Sequence, residues 1–76
     1  MTFDELLKKT EDLDLESKGL YLGKPANLPE TISLFQDGDE WVIQSINDRN
    51  RIFEKRGKEE DMVRKMSGHI KLRMGG

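Results

Sequence analysis

Apolar positions fall into four patterned stretches along the 76-residue chain. In the first, Phe3, Leu6, Leu7, Thr10 and Leu13 recur at three- and four-residue spacing, the mark of a helix with one inward stripe. Thr2-Phe3-Asp4-Glu5 in front of it reads as a capping box: the Thr2 hydroxyl accepts from the amide of Glu5, whose carboxylate reaches back to the amide of Thr2. Asp4 and Glu5 also sit at the positive end of the helix macrodipole, where negative charge is favourable. The spacing predicts a helix from Phe3 to about Leu13, ending before Ser17-Lys18-Gly19.

The period then shortens. Gly19-Leu20-Tyr21-Leu22-Gly23 is an apolar piece between two glycines, suited to an edge strand or an extended packing segment. Pro25 and Pro29 each remove a donor and fix φ, so Lys24–Pro29 is an extended loop and not a helix. Thr31–Gln36 and Trp41–Ile46 alternate as strands, with Asp37-Gly38 between them as a hairpin signal of the type I′ kind. A two-residue loop there pairs Leu34 with Trp41, whereas a four-residue loop over Asp37–Glu40 pairs Leu34 with Ile43. Either way Ile32, Leu34, Trp41 and Ile43 share one face, and that face is the buried one. Phe35, Val42 and Ile46 fall on the other side and are expected to be half covered. Asn47–Asn50 is a turn. Arg51–Arg56 suits a third meander strand ended by Gly57, although the pattern does not separate strand from helix there.

From Lys58 onward the helical period returns. Met62, Val63, Met66, Ile70 and Met74 lie on one face, with Glu59, Glu60 and Asp61 in the first turn and Lys65, His69, Lys71 and Arg73 toward the end. Ser67-Gly68 is a weak point at which this helix is expected to kink or stop. Gly75 and Gly76 suit a helix cap. The elements combine into one two-layer α+β domain over residues 1–76: an N-terminal helix, a two- or three-stranded antiparallel meander and a C-terminal amphipathic helix.

Composition sharpens this picture. Charged residues make up 37 % and hydrophobic residues 34 %, so the core is thin. The absence of cysteine rules out a disulfide or a zinc–thiolate staple and fits a cytoplasmic location. The opening MTFDELLKKT lacks the apolar run of a signal peptide, and no stretch approaches the ~20 apolar residues of a membrane span, so no membrane partner is expected. The net charge of −2 is unevenly spread: residues 1–48 carry four basic and eleven acidic side chains, residues 49–76 nine basic and four acidic. That is a solvated basic end or a bipolar surface that steers a charged partner.

Candidate chemistry is sparse. His69 is the single histidine and has neither a thiol for zinc nor a sequence-adjacent nucleophile or orienting acid. Asp37, Asp39 and Glu40 echo a calcium loop, but further ligands and a following helix are missing. No GxGxxG or GxxxxGK[ST] run occurs, and Ser17, Ser33, Ser45 and Ser67 belong to no nucleophile motif. The chain is therefore expected to be no enzyme, with no metal and no cofactor. Arg49, Arg51, Lys55, Arg56 and Lys58, followed by Arg64 and Lys65, cluster around Phe53, which is the electrostatic footprint of nucleic-acid binding. The intervening acids and the absence of any helix-turn-helix, RRM or KH signature place this second to protein binding. Trp41 and Tyr21 are the aromatic anchors, Trp41 with the core and Tyr21 less so.

The ending His69–Gly76 raises a third reading, a ubiquitin-like modifier closing on Gly-Gly. That family opens with a strand hairpin and feeds its tail from a strand, whereas this chain opens with a capped helix and puts helical spacing before the glycines. The stretch GLYLGKPANLPETISLFQDGDEWVI, residues 19–43 with its flanking helices, resembles small bacterial immunity-type proteins that neutralise a toxin. That resemblance implies a cytosolic, bacterial or phage protein acting by binding another protein. The expected contact surface is acidic: Asp37, Asp39 and Glu40 at the hairpin tip, with Tyr21 from the loop before it.

Overall fold

A computed structural model describes residues 1–74. The element order is α1 (Phe3–Thr10), a short 3₁₀ turn (Glu16–Lys18), β1 (Leu20–Leu22), β2 (Thr31–Asp37), β3 (Glu40–Ile46), β4 (Ile52–Gly57) and α2 (Glu59–Arg73). The four strands form one sheet in the order β1-β2-β3-β4. Both helices lie on one face, giving a slab of 32 × 29 × 16 Å, the thickness of two layers. The α+β architecture is as expected. The sheet, however, gains a fourth strand: β1 pairs with β2 in parallel, Leu20 opposite Ile32 and Leu22 opposite Leu34. A parallel neighbour needs a crossover, and residues 23–30 supply it without a helix.

The first helix opens as its sequence dictates. The Glu5 amide donates to Thr2 Oγ1 at 3.2 Å and the Thr2 amide to Glu5 Oε1 at 3.3 Å. A third partner comes from 56 residues away: the Phe3 amide donates to Glu59 Oε2 at 2.9 Å, joining the two helix N-termini. The helix ends at Thr10, three residues short of the expected Leu13. Thr10 donates its hydroxyl back to the Leu6 carbonyl at 2.8 Å, and the Leu13 amide closes onto the Thr10 carbonyl at 3.0 Å, so the chain turns away. Leu6 and Thr10 are buried as expected, but Leu7 and Leu13 are exposed.

The central hairpin joins β2 to β3 with Asp37 opposite Glu40 and Leu34 opposite Ile43. The turn therefore centres on Gly38-Asp39, one position later than a turn on Asp37-Gly38. Only Gly38 has positive φ (+65°), the pattern of a type II′ turn and not type I′. The face assignment survives the shift, because the register moved by an even number. Ile32, Leu34 and Ile43 join Leu6, Leu15, Leu20, Met62, Val63, Met66 and Ile70 in the core, with Phe3, Leu22, Trp41 and Met74 packed against it. Phe3 and Trp41 meet with ring centroids 4.9 Å apart, fixing α1 to the hairpin.

The outer face is better covered than expected. Val42 and Ile46 are buried and Phe35 is half-buried. Ser33, on the same face, is 1 % exposed. The helices lie on the other side, so this burial is achieved without them. The third meander strand is present as β4, antiparallel to β3 with Val42 opposite Arg56. Asn47 Oδ1 builds the turn before it, accepting from the amides of Arg49 and Arg51 at 2.9 Å each.

The second helix runs unbroken through Ser67-Gly68 to Arg73, so it does not stop there. Burial of Met66 and Ile70 on either side of the glycine holds it in register. Arg73 clasps its end: Nη1 donates to the carbonyls of Lys18 at 2.9 Å and Glu30 at 3.2 Å. The expected cap at Gly75 and Gly76 lies outside the described residues. The order helix, four strands, helix also departs from the strand-first order of a ubiquitin-like modifier.

Candidate interaction surface

The sheet edges differ. Beside β1, the end of α1 and the following turn frame a depression with Leu7, Leu13 and Tyr21, bordered by Glu11, Asp14 and Glu16. Tyr21 is thus a strand residue opposite Ser33, not part of the hairpin tip. Asp37 follows Ser33 by four positions on β2, about 13 Å at the rise of an extended strand, so Tyr21 and the acidic tip are separate features.

The acidic tip is itself partly neutralised. Asp37 Oδ2 accepts from Arg56 Nη1 at 2.8 Å, and Glu54 Oε2 accepts from Arg56 Nη2 at 3.3 Å. Arg56 stands on β4 and Asp37 on β2, so the arginine chain passes over β3 beside Val42. The hydrogen bond from Arg56 to Asp37 raises the guanidinium pKa above its ordinary value; desolvation opposes it, and Coulomb attraction from Asp37, Glu54 and Glu40 adds to the rise. Two residues read from sequence into rival surfaces, one acidic and one basic, are therefore partners. Asp39 and Glu40 stay exposed at the tip.

The basic cluster of residues 49–58 does not form one face. Strand alternation puts Lys55 on the helix side of β4 and Arg56 on the outer side. Arg49 and Arg51 occupy the turn before β4, and Lys58 is the N-cap position of α2 at the strand's far end.

What the sequence did not point to lies between β4 and α2. A groove of about 720 Å³ runs there, floored by Ile43, Ser45 and Phe53 and walled by Gly68 and Leu72. Its rim is Lys55, Lys65, His69 and Lys71, with no acidic residue lining it. Phe53 is 57 % exposed and Leu72 81 % exposed, the latter the most exposed large apolar side chain among the described residues. Gly68 keeps the groove open: a Cβ built there meets nothing within 4 Å. Two faint signals marked the place in the sequence, a leucine between Lys71 and Arg73 on the polar side of α2 and a phenylalanine in a charged strand. Neither becomes a site until the packing of α2 across β2, β3 and β4 sets them side by side.

His69 is half-buried at the groove rim among lysines. Among the described residues no three His, Cys, Asp or Glu side chains gather to hold a metal ion, and no helix is long and apolar enough to cross a membrane. No protein-family model matches the chain, and neither does a curated protein or a solved structure, so none of them supports the likeness to immunity-type proteins.

Proposed function

We propose that this chain is a non-catalytic protein-binding domain and that the β4–α2 groove is its contact surface. The observation that carries this is the exposure of Phe53 and Leu72 across an apolar groove ringed by Lys55, Lys65 and Lys71. An apolar centre with a charged rim has the anatomy of a binding site, and large exposed apolar side chains gathered in one place cost solubility unless a partner covers them. The groove takes the place of the Asp37–Glu40 tip as the favoured surface, because the tip is polar and Asp37 is occupied by Arg56. A toxin neutralised by binding is one form such a partner could take.

Display selection tests the reading. A library of random peptides is panned on the wild-type protein, and the enriched clones are scored on a Phe53→Ser/Leu72→Ser variant whose fold is verified by circular dichroism. The proposal expects enriched clones to lose the variant. Clones that keep binding it, and lose an Asp39→Ser/Glu40→Ser variant instead, return the surface to the hairpin tip.

A further inference from the structure

We infer that the occupant of the β4–α2 groove is a short amphipathic helix of another protein, with carboxylates flanking its apolar stripe, lying beside α2 in the helix layer. This rests on the groove being the interaction surface and adds the chemistry and shape of what fills it.

Charge comes first. Lys55, Lys65 and Lys71 ring the groove, and none of the three is in an ion pair among the described residues. An apolar segment entering between them is held best when its own flanks are acidic, since complementary rim charge sets partner choice and encounter rate. The same rim argues against a two-fold contact with a second copy. An isologous interface sets the groove against itself, lysine facing lysine.

Shape comes next. The open edge of β4 offers unpaired backbone groups, as strand addition requires. Yet the strand carries Lys55 on the helix side and Glu54 and Arg56 on the other, and inward-facing charge is how edge strands avoid pairing. The helix layer, by contrast, has a vacancy. α1 packs against one side of α2, and α2 itself spans β2, β3 and β4. On its other side Phe53 and Lys55 have no helix over them among the described residues. The wall from Lys65 to Leu72 is about two helical turns long, enough for two or three apolar side chains at i, i+3 or i+4, and i+7.

Three synthetic peptides test this by fluorescence anisotropy: a leucine-striped helix of about 18 residues with flanking glutamates, the same peptide with lysines for glutamates, and the glutamate composition rearranged into strict alternation. The inference expects the glutamate helix to bind at least tenfold tighter than the other two. It expects that binding to weaken as salt rises, to fall at least tenfold in Leu72→Asp, and to switch toward the lysine helix in Lys65→Glu/Lys71→Glu. Equal binding of glutamate and lysine helices, or tightest binding by the alternating peptide, overturns the occupant while leaving the groove in place if Leu72→Asp still abolishes it. A concentration-dependent dimer in sedimentation that Leu72→Asp dissociates makes the occupant a second copy and overturns it too. Binding indifferent to Leu72→Asp, or no binding by any peptide, overturns the inference and removes support from the groove itself.

Discussion

Gly68 separates folding from binding more cleanly than any other position. It lies inside α2, where glycine costs about 0.8–1.0 kcal/mol relative to alanine through backbone entropy. Nothing lies within 4 Å of a Cβ built there, so Gly68→Ala recovers that propensity without a clash. For a domain of this size each kcal/mol moves Tm by roughly 4–8 °C, so the variant melts about 3–8 °C higher. Gly68→Leu has nearly alanine's propensity, and its side chain enters the groove toward Phe53. That variant is at least as stable as wild type yet loses tenfold or more in affinity for any groove ligand, about 1.4 kcal/mol. Thermal unfolding by far-UV circular dichroism gives the first quantity, and peptide anisotropy the second. A lower Tm in Gly68→Leu means the space is not open and the packing of α2 on β4 has been misjudged. A raised Tm with unchanged affinity keeps the fold and removes the groove as the site.

Other expected outcomes follow from burial and capping. Leu34 is fully buried, so Leu34→Ala costs about 2.7–5 kcal/mol, a large part of the roughly 4–11 kcal/mol available to such a domain, whereas Leu72→Ala at 81 % exposure stays within about 0.5 kcal/mol; urea unfolding of the pair checks this contrast. Gly19→Ala forces φ +74° on a residue with a Cβ and sets that atom 2.6 Å from the Glu30 carbonyl oxygen, so it destabilises by about 1–3 kcal/mol in the same assay. Glu59→Ala removes the carboxylate that accepts from the Phe3 amide and costs about 1–2 kcal/mol, read as faster hydrogen exchange of the α1 amides before global unfolding. Single-stranded RNA and duplex DNA shift little in low-salt gels, because Lys55 and Arg56 face opposite ways and Arg56 is already paired; a strong, salt-sensitive shift lost in Arg49→Ala/Arg51→Ala restores the nucleic-acid reading.

The elements that local chemistry controls were legible. The capping box at Thr2–Glu5, the inward stripe Met62–Val63–Met66–Ile70 and the shared face of Ile32, Leu34 and Ile43 each follow from a period or a cap that needs no distant partner. The hairpin pattern leaves two registers open; the observed one pairs Leu34 with Ile43, as a loop spanning Asp37–Glu40 does, but closes more tightly, on Gly38-Asp39. The parallel pairing of β1 was hidden for a different reason. Three residues carry little periodicity, and a crossover without a helix leaves no signature. The candidate surface was hidden most deeply. Asp37 and Arg56 are 19 residues apart, and their pairing, which cancels charge on both rival surfaces, exists only after β3 is inserted between β2 and β4. Phe53 and Leu72 likewise become neighbours through packing, not spacing.

Methyl-resolved NMR of the labelled protein, titrated with a peptide enriched by display, tests the central claim most directly. Shifts and intermolecular contacts centred on the Ile43 and Leu72 methyl groups, with the Phe53 ring alongside, are the result the groove predicts. Contacts centred on Tyr21, or on Asp39 and Glu40 at the hairpin tip, with Leu72 unmoved, contradict it.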